Sequence, residues 1–346
     1  MDFALEERQQ AVADLAAEVL TADDPWKELA RAGLLDVSPP DGLGVLEVAV
    51  LLTEIGRRAP SVKALATLMT GALPLARWGR PDLLPGVASG ELLLTAALRE
   101  PPTHPATAVT NGTITGLKIG VPYAAQSHLL LVPARLGPTD FMITGSLGDI
   151  AAKTARDHGV ALVRRGAEGV RLTRTPSSSG EPEYALELHQ APVEGMLGGA
   201  DCARDLHQLA VAGACALADG AVAGALALTR DYVARREQFG RPLAAFQAVS
   251  QQIADVYIAS RTMHLAALSA CWRLSVGLEA AEDVDVAAYW LAQEGPAAAR
   301  ICHHLHGGIG LDVEYPLQRY SSMISDLARF VGGADYRHDV LASEAG

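Results

Sequence analysis

Charge and cysteine are both scarce in this sequence. Only 20% of its 346 residues are Asp, Glu, Lys or Arg, against 49% hydrophobic, a balance that suits a soluble globular protein and excludes a disordered, charge-rich one. No run of about 18 uncharged apolar residues carries membrane-type flanks, and the opening MDFALEERQQ is acidic and polar, so neither a membrane span nor a signal peptide is expected. Basic residues are outnumbered 28 to 40, and the net charge of −12 argues against a general nucleic-acid or acidic-membrane surface, leaving proteins and small molecules as the expected partners. The four cysteines, at 202, 215, 271 and 302, have no C-x-x-C spacing and sit in helix-like contexts. They read as reduced core thiols of a cytoplasmic protein rather than as disulfides or a metal site. A chain of this length buries a core large enough to fold without cross-links.

Three segments follow one another. Residues 1–90 read as helices, with Leu5, Val12, Leu15 and Val19 at helical spacing, then Leu46, Val50, Leu51 and Ile55, separated by Pro39, Pro40 and Gly42. Residues 91–195 read as strands: LLLTAAL (92–98), TAVTNGTITGLKIGV (107–121) with Asn111-Gly112 as a two-residue turn, HLLLVPARL (128–136), TDFMITG (139–145) and, after TPSSSGEPE, YALELH (184–189). These make a β-barrel or sandwich. Residues 196–346 return to helix, with Phe246, Val249, Ile253, Val256, Met263 and Ala267 in one stripe and Gly213, Gly220 and Gly224 in an Ala-rich helix where close helix contact is the usual reason for glycine.

Between two long Ala-rich helices stands REQFGRPLAAFQ (236–247), which packs charges, aromatics, a glycine and a proline into one joint. The helical, strand, helical order together with RREQFGRPLAAFQAVSQQIADVYI (235–258) and HHLHGGIGLDVEYPLQRY (303–320) resembles the acyl-CoA dehydrogenase family over essentially the whole chain, most strongly from 205 to 320. The resemblance implies an α+β fold: an N-terminal helical domain (1–90, shortened), a middle β-domain (91–195) and a C-terminal four-helix bundle (196–346). It implies oligomers with FAD between subunits, and α,β-desaturation of an acyl-CoA thioester. A carboxylate takes the α-proton, FAD accepts the β-hydride, and an electron-transferring flavoprotein carries the electrons away.

Carried over residue by residue, the catalytic half of that site is missing. The family's usual base is the Glu of Tyr-Glu-Gly-Thr, and here the matching stretch is Phe330-Val331-Gly332-Gly333, with Val331 at the base position. The alternative seat of the base, early in the first C-terminal helix, is Ala210. No catalytic residue is therefore assigned. Where the family has Thr-Glu-Pro-Gly-Ala-Gly-Ser-Asp against the flavin, this chain has Arg99-Glu100-Pro101-Pro102-Thr103-His104-Pro105-Ala106; for Trp-Ile-Thr it has Gly120-Val121-Pro122, and Pro122 lacks a backbone donor.

The half that reaches across to a neighbour's FAD is kept. In the family the joint and the glycine turn meet the adenine and pyrophosphate of the adjoining subunit's cofactor, which here implies Arg236, Gln238, Phe239, Phe246, Gln247, His304, Gly307 and Gly308, with His304 standing where Gln is usual. Arg236 suits a pyrophosphate fork, the two amides suit polar edges, and the glycines let backbone N–H groups approach phosphate. Such a division is similar to that of the short, catalytically silent subunit of heterotetrameric actinobacterial acyl-CoA dehydrogenases of steroid side-chain degradation, a likeness that extends to VYIASRT (256–262) and ICHHLHGG (301–308). It implies a longer homologous partner subunit and a steroid-like CoA thioester.

Plainer readings stand beside these. Arg236 can cap its helix or pair with Glu237 or Asp231, Phe239 and Phe246 can serve packing, and Gly307-Gly308 can be a simple helix stop. His303, His304 and His306 lack a carboxylate or thiol to complete a metal site. Glu314, Asp326 and Asp335 lie near the expected active-site loop and are candidates for a displaced base in a homo-oligomeric dehydrogenase. A non-enzymatic scaffold on the same fold is a third reading.

Overall fold

The computed structural model describes residues 4–137 and 158–344, so the strand expected at 139–145 lies outside the described residues. The chain forms two compact units: Met1–Leu34, Gly44–Val62 and Val211–Gly346 in one, Leu35–Leu43 and Lys63–Ala210 in the other.

The second unit is built on a mixed eight-stranded sheet preceded by short helical pieces, a π-helical run Leu65–Ala72 continuing into α4 (Leu73–Trp78) and, further on, α5 (Leu84–Ala88). The strands are β1 (Leu94–Ala96), β2 (Ala108–Thr110), β3 (Thr113–Pro122), β4 (Leu129–Leu136), β5 (His158–Arg164), β6 (Val170–Thr175), β7 (Glu183–Pro192) and β8 (Gly195–Gly198), in the order β6-β7-β3-β2-β4-β5-β8, with β1 also on β4. Asn111 and Gly112 both have positive φ, 54° and 75°, which is the two-residue hairpin turn their identities favour; it pairs Thr110 with Thr113. On β4, β1 and β2 run parallel at opposite ends and β5 antiparallel, which buries its apolar run LLLV completely. Three strands of the sheet, β5, β6 and the short β8 at the boundary where helix was expected to resume, were not expected from the sequence. The apolar run GVALV in β5 is too short for periodicity to separate strand from helix, and β6 alternates only partly because it lies at the sheet edge with Arg171 and Arg174 outward. Val109, Ile114, Val121, Leu130, Val163 and Leu186 belong to the core of this sheet.

In the first unit, α1 (Glu7–Val19), α2 (Pro25–Arg31) and α3 (Val45–Arg58) precede the long α6 (Ala200–Arg235), α7 (Gln247–Ser275), α8 (Ala281–His306), α9 (Leu317–Phe330) and α10 (Ala334–Glu344); α6 enters this unit at Val211. Helix α6 is 36 residues long and apolar enough to cross a membrane by length and composition, yet most of its apolar stretch is buried inside the protein, as in a core helix. Glycines set how closely α3 and α6 approach. A Cβ on Gly56 would meet the carbonyl of Leu217, one on Gly220 the carbonyl of Thr53, and one on Gly224 the carbonyl of Arg57. The four cysteines are buried and unpaired, and burial pushes the Cys202 and Cys271 thiols up to about 12.

Candidate functional site

The joint is a miniature hairpin. The last helical bond of α6, Arg236 N to Tyr232 O at 2.8 Å, hands the chain to two-residue strands β9 (Glu237–Gln238) and β10 (Arg241–Pro242). The register pairs Gln238 with Arg241, and Leu243 N closes on Arg236 O at 2.8 Å. Its turn residues are Phe239 and Gly240, with φ of 53° and 77°. Gly240 adopts that conformation at no steric cost, whereas for Phe239 it is strained by about 1–3 kcal/mol. Phe239 is also 92% exposed. The Phe239 ring is held in a left-handed turn and turned out to solvent, so it is not part of this chain's core. Phe246, half-buried, packs edge-on to Phe239 at 6.2 Å between centroids and carries the Arg241 guanidinium 4.0 Å above its ring.

Around the hairpin the polar groups are exposed and uncommitted. Asp231 is taken by Arg230 at 3.0 Å, so the expected alternative of an Arg236–Asp231 pair is not formed. The side chains of Arg236, Gln238, Gln247 and His304 are exposed and have no hydrogen-bond or ion-pair partner among the described residues.

The glycine turn lies at the C-terminal end of α8. Gly307 caps the helix with φ 62° and ψ −140°, a region open only to glycine, and its N–H donates to the carbonyls of His303 and His304. No atom lies within 4 Å of where a Cβ would stand on Gly307 or Gly308, so the backbone here is open to a close approach. Two residues that sequence reasoning did not assign tie this turn to the joint. Tyr232, one turn before Arg236, stacks on His306 at 4.5 Å and donates its hydroxyl to the His306 carbonyl at 3.4 Å. Tyr315 adds an edge contact to the same ring at 5.3 Å. His306 is buried, its Nδ1 donates to Cys302 O at 2.8 Å, and burial lowers its pKa, so the ring is neutral with Nε2 as a lone-pair acceptor. That Nε2 and Nδ1 of His303 are buried without partners beside the turn. The only sequence signal for either residue was adjacency to the Gly-Gly pair and the helix end.

Beyond the turn, Ile309, Leu311 and Val313 are exposed, the last two at 74% and 87%. Together with Phe239 they are apolar side chains left in water, as at a surface made to be covered.

The expected base positions carry no chemistry. Val331 is 1% exposed at the end of α9, and its carbonyl accepts from Nε of Arg337 at 2.5 Å. Arg337 is itself buried and paired with Asp285 at 2.5 Å. Ala210 is fully buried. Glu314 and Asp335 are exposed, whereas the Asp326 side chain is 16% exposed and pairs with Arg329 at 3.4 Å, which commits it to a cation on its own helix.

In the sheet unit, Glu100 accepts from Lys118 Nζ at 2.6 Å and from Thr107 N at 3.0 Å; Lys118 is buried, and this is a structural ion pair. The Arg99 guanidinium lies where a side chain on Gly120 would stand, 3.8 Å from Glu183. A cation thus fills the space over Gly120. These residues do not fit a flavin ring, whereas the joint and glycine turn do fit the adenine and pyrophosphate end of FAD: an uncommitted guanidinium, two uncommitted amides, an exposed aromatic ring and open glycine backbone.

Comparison with known proteins agrees with this architecture. The description of the acyl-CoA dehydrogenase C-terminal domain matches residues 205–338. The acyl-CoA dehydrogenase FadE28 of Mycobacterium tuberculosis is 43% identical, with 99% of this chain and 98% of that protein covered. The chain therefore belongs to the acyl-CoA dehydrogenase family. Among solved structures, the ChsE4-ChsE5 complex of Mycobacterium tuberculosis superposes with a TM-score of 0.89 at 28% identity, covering 100% of this chain and 99% of the matched one. The Tcur3481-Tcur3483 steroid ACAD superposes with a TM-score of 0.86 at 30% identity and 97% coverage of each chain.

Proposed function

We propose that this chain is the non-catalytic subunit of a heterotetrameric, FAD-dependent acyl-CoA dehydrogenase, lending the adenine and pyrophosphate contacts of FAD to a longer homologous subunit that carries the catalytic carboxylate. The single observation that carries the reading is a contrast. Both base positions, Val331 and Ala210, are buried hydrocarbon, while Arg236, Gln238, Gln247 and His304 stand exposed and uncommitted beside an open Gly307-Gly308 backbone. In this role Arg236 forks onto a pyrophosphate oxygen pair, the glutamine amides bond polar edges, and Phe239, with Phe246 behind it, offers a flat apolar face. FAD, when bound, supplies the hydride acceptor for α,β-desaturation of the thioester. This chain's residues hold and orient it without touching the reacting carbons.

Two relatives are described as complexes or pairs, and one as a steroid ACAD, which supports a heteromeric partner and a bulky, steroid-like CoA thioester as substrate. The sequence segments 1–90, 91–195 and 196–346 serve as its three domains, the complex is cytoplasmic, and an electron-transferring flavoprotein is its electron acceptor. The test is flavin absorbance and FAD counted per protomer by mass, for the chain alone and co-purified with a longer homologue. The reading expects little FAD and no turnover alone, and about one FAD per heterodimer with activity together. One FAD per chain and turnover in the homo-oligomer would defeat it.

A further inference from the structure

Helix α7 carries a seam on its outer side. Gln247, Gln251, Ala254, Ile258, Arg261 and Leu265 follow one another in alternating steps of four and three residues, and all of them are exposed. At about 100° per residue such steps keep returning to one side of the helix, which is the spacing by which one helix packs lengthwise against another. The opposite side faces the chain's own core, where Val256, Ser260, Met263 and Ala267 are buried. Ile258 is 62% and Leu265 38% exposed, and Tyr257 beside the seam is 56% exposed. At ~1.5 Å per residue the seam runs for about 27 Å.

Arg261 interrupts its apolar part. Three and four residues away on either side stand Tyr257, Ile258, His264 and Leu265, so no carboxylate of α7 is a helical neighbour of the guanidinium. Asp255, the only acidic residue of α7, is six residues off and about 120° round the axis. Arg261 has no hydrogen-bond or ion-pair partner among the described residues. In water it needs none. Once Ile258 and Leu265 are covered, the guanidinium between them loses its hydration, so the covering surface must bring a carboxylate to it.

The seam begins at the first residue of α7, Gln247, and Phe246 just before it packs against Phe239. In the lending role Gln247 faces the FAD of the partner subunit, and the rest of the seam continues along that same side of the helix. A second copy of this chain fits less well, because its own seam presents another Arg261 and no carboxylate. We propose that the outer seam of α7 docks lengthwise on a helix of the longer partner subunit, with a partner carboxylate paired to Arg261, an inference that rests on the lending role proposed above. Burial of Ile258 and Leu265 supplies affinity, and the charge pair selects a partner that carries the acid in register.

The test is subunit association in the complex with the co-purifying longer homologue, by native mass spectrometry and analytical ultracentrifugation, with FAD counted on the same samples. Ile258→Asp and Arg261→Glu are each expected to weaken association at least about tenfold, and Arg261→Lys less than Arg261→Glu. Lys27→Glu, the same charge reversal at an exposed position of α2, is expected to leave association unaltered. In the unsubstituted protein, hydroxyl-radical labelling of Tyr257 should be strong in the isolated chain and suppressed in the complex, a readout that requires no variant to fold. Full association of Ile258→Asp or of Arg261→Glu overturns the proposal, as does equal labelling of Tyr257 in chain and complex. So does an isolated chain that self-associates and becomes monomeric in Ile258→Asp, because a second copy would then occupy the seam. The lending role fails by a different readout: FAD held undiminished by Arg236→Ala in an assembled complex would sink that role and leave the association result standing.

Discussion

Arg236→Ala isolates the lending role. The side chain is exposed, and no partner within the described residues would be abandoned by its removal. The folding free energy of the isolated chain is therefore expected to stay within about 0.5 kcal/mol of its starting value, as for other surface substitutions without partners. In the complex the same change removes a hydrogen-bonded charge from an anionic group, an interaction of roughly 1.5–3 kcal/mol, which corresponds to about a tenfold to hundredfold rise in the Kd for FAD. The measurement is FAD release from the purified complex, by ultrafiltration or flavin fluorescence, alongside circular dichroism of the isolated chain. Because the interaction is electrostatic and near solvent, the deficit should shrink as salt rises from 50 mM to 500 mM. An unaltered Kd in a correctly assembled complex, with the fold intact, would refute the assignment of Arg236 to the cofactor.

His306 makes the glycine turn sensitive to acid. Burial lowers its folded pKa below the ordinary 6.5, so the fold binds fewer protons at this site than the unfolded chain; its contribution to stability is full above pH 6.5 and is lost as pH falls through the folded value. Thermal melts from pH 7.5 to 5 should show this loss in the unsubstituted chain and a flatter profile in His306→Phe, and parallel profiles would show that the ring is not buried neutral. Arg337→Ala leaves Asp285 unpaired in a largely buried site and removes a donor from the Val331 carbonyl. It should cost about 3–5 kcal/mol in denaturant unfolding, whereas a loss under 1 kcal/mol would mean that the pair is solvated.

Much of this protein could be read from local signals. Alternation and an Asn-Gly pair located β2 and β3 with the turn between them, because two-residue hairpins depend on the conformational freedom of those two residues and little else. The sequence likewise puts Val331 and Ala210, neither able to take a proton, at the positions where the resemblance expects a base. The joint at 236–247 was legible too. The sequence by itself thus determined the order of helical and strand segments and the presence of a joint whose composition suits neither flanking helix.

Tertiary structure decided which of those side chains are engaged and which stand open. Asp231 could have answered either Arg230 or Arg236 on sequence, and only the rotamers and packing at the helix end assign it to Arg230. Phe239 stood on sequence as either a cofactor contact or a packing residue; its outward aim follows from the hairpin register and the left-handed turn. The strand β5 stayed ambiguous because a five-residue apolar run acquires its conformation from β4 and β8 beside it. The Arg99 guanidinium over Gly120 and the Asp219–His264 pair join residues 21 or more positions apart. Such encounters are governed by the path of the chain through space, whereas spacing along it reports only on neighbours within a turn or a strand.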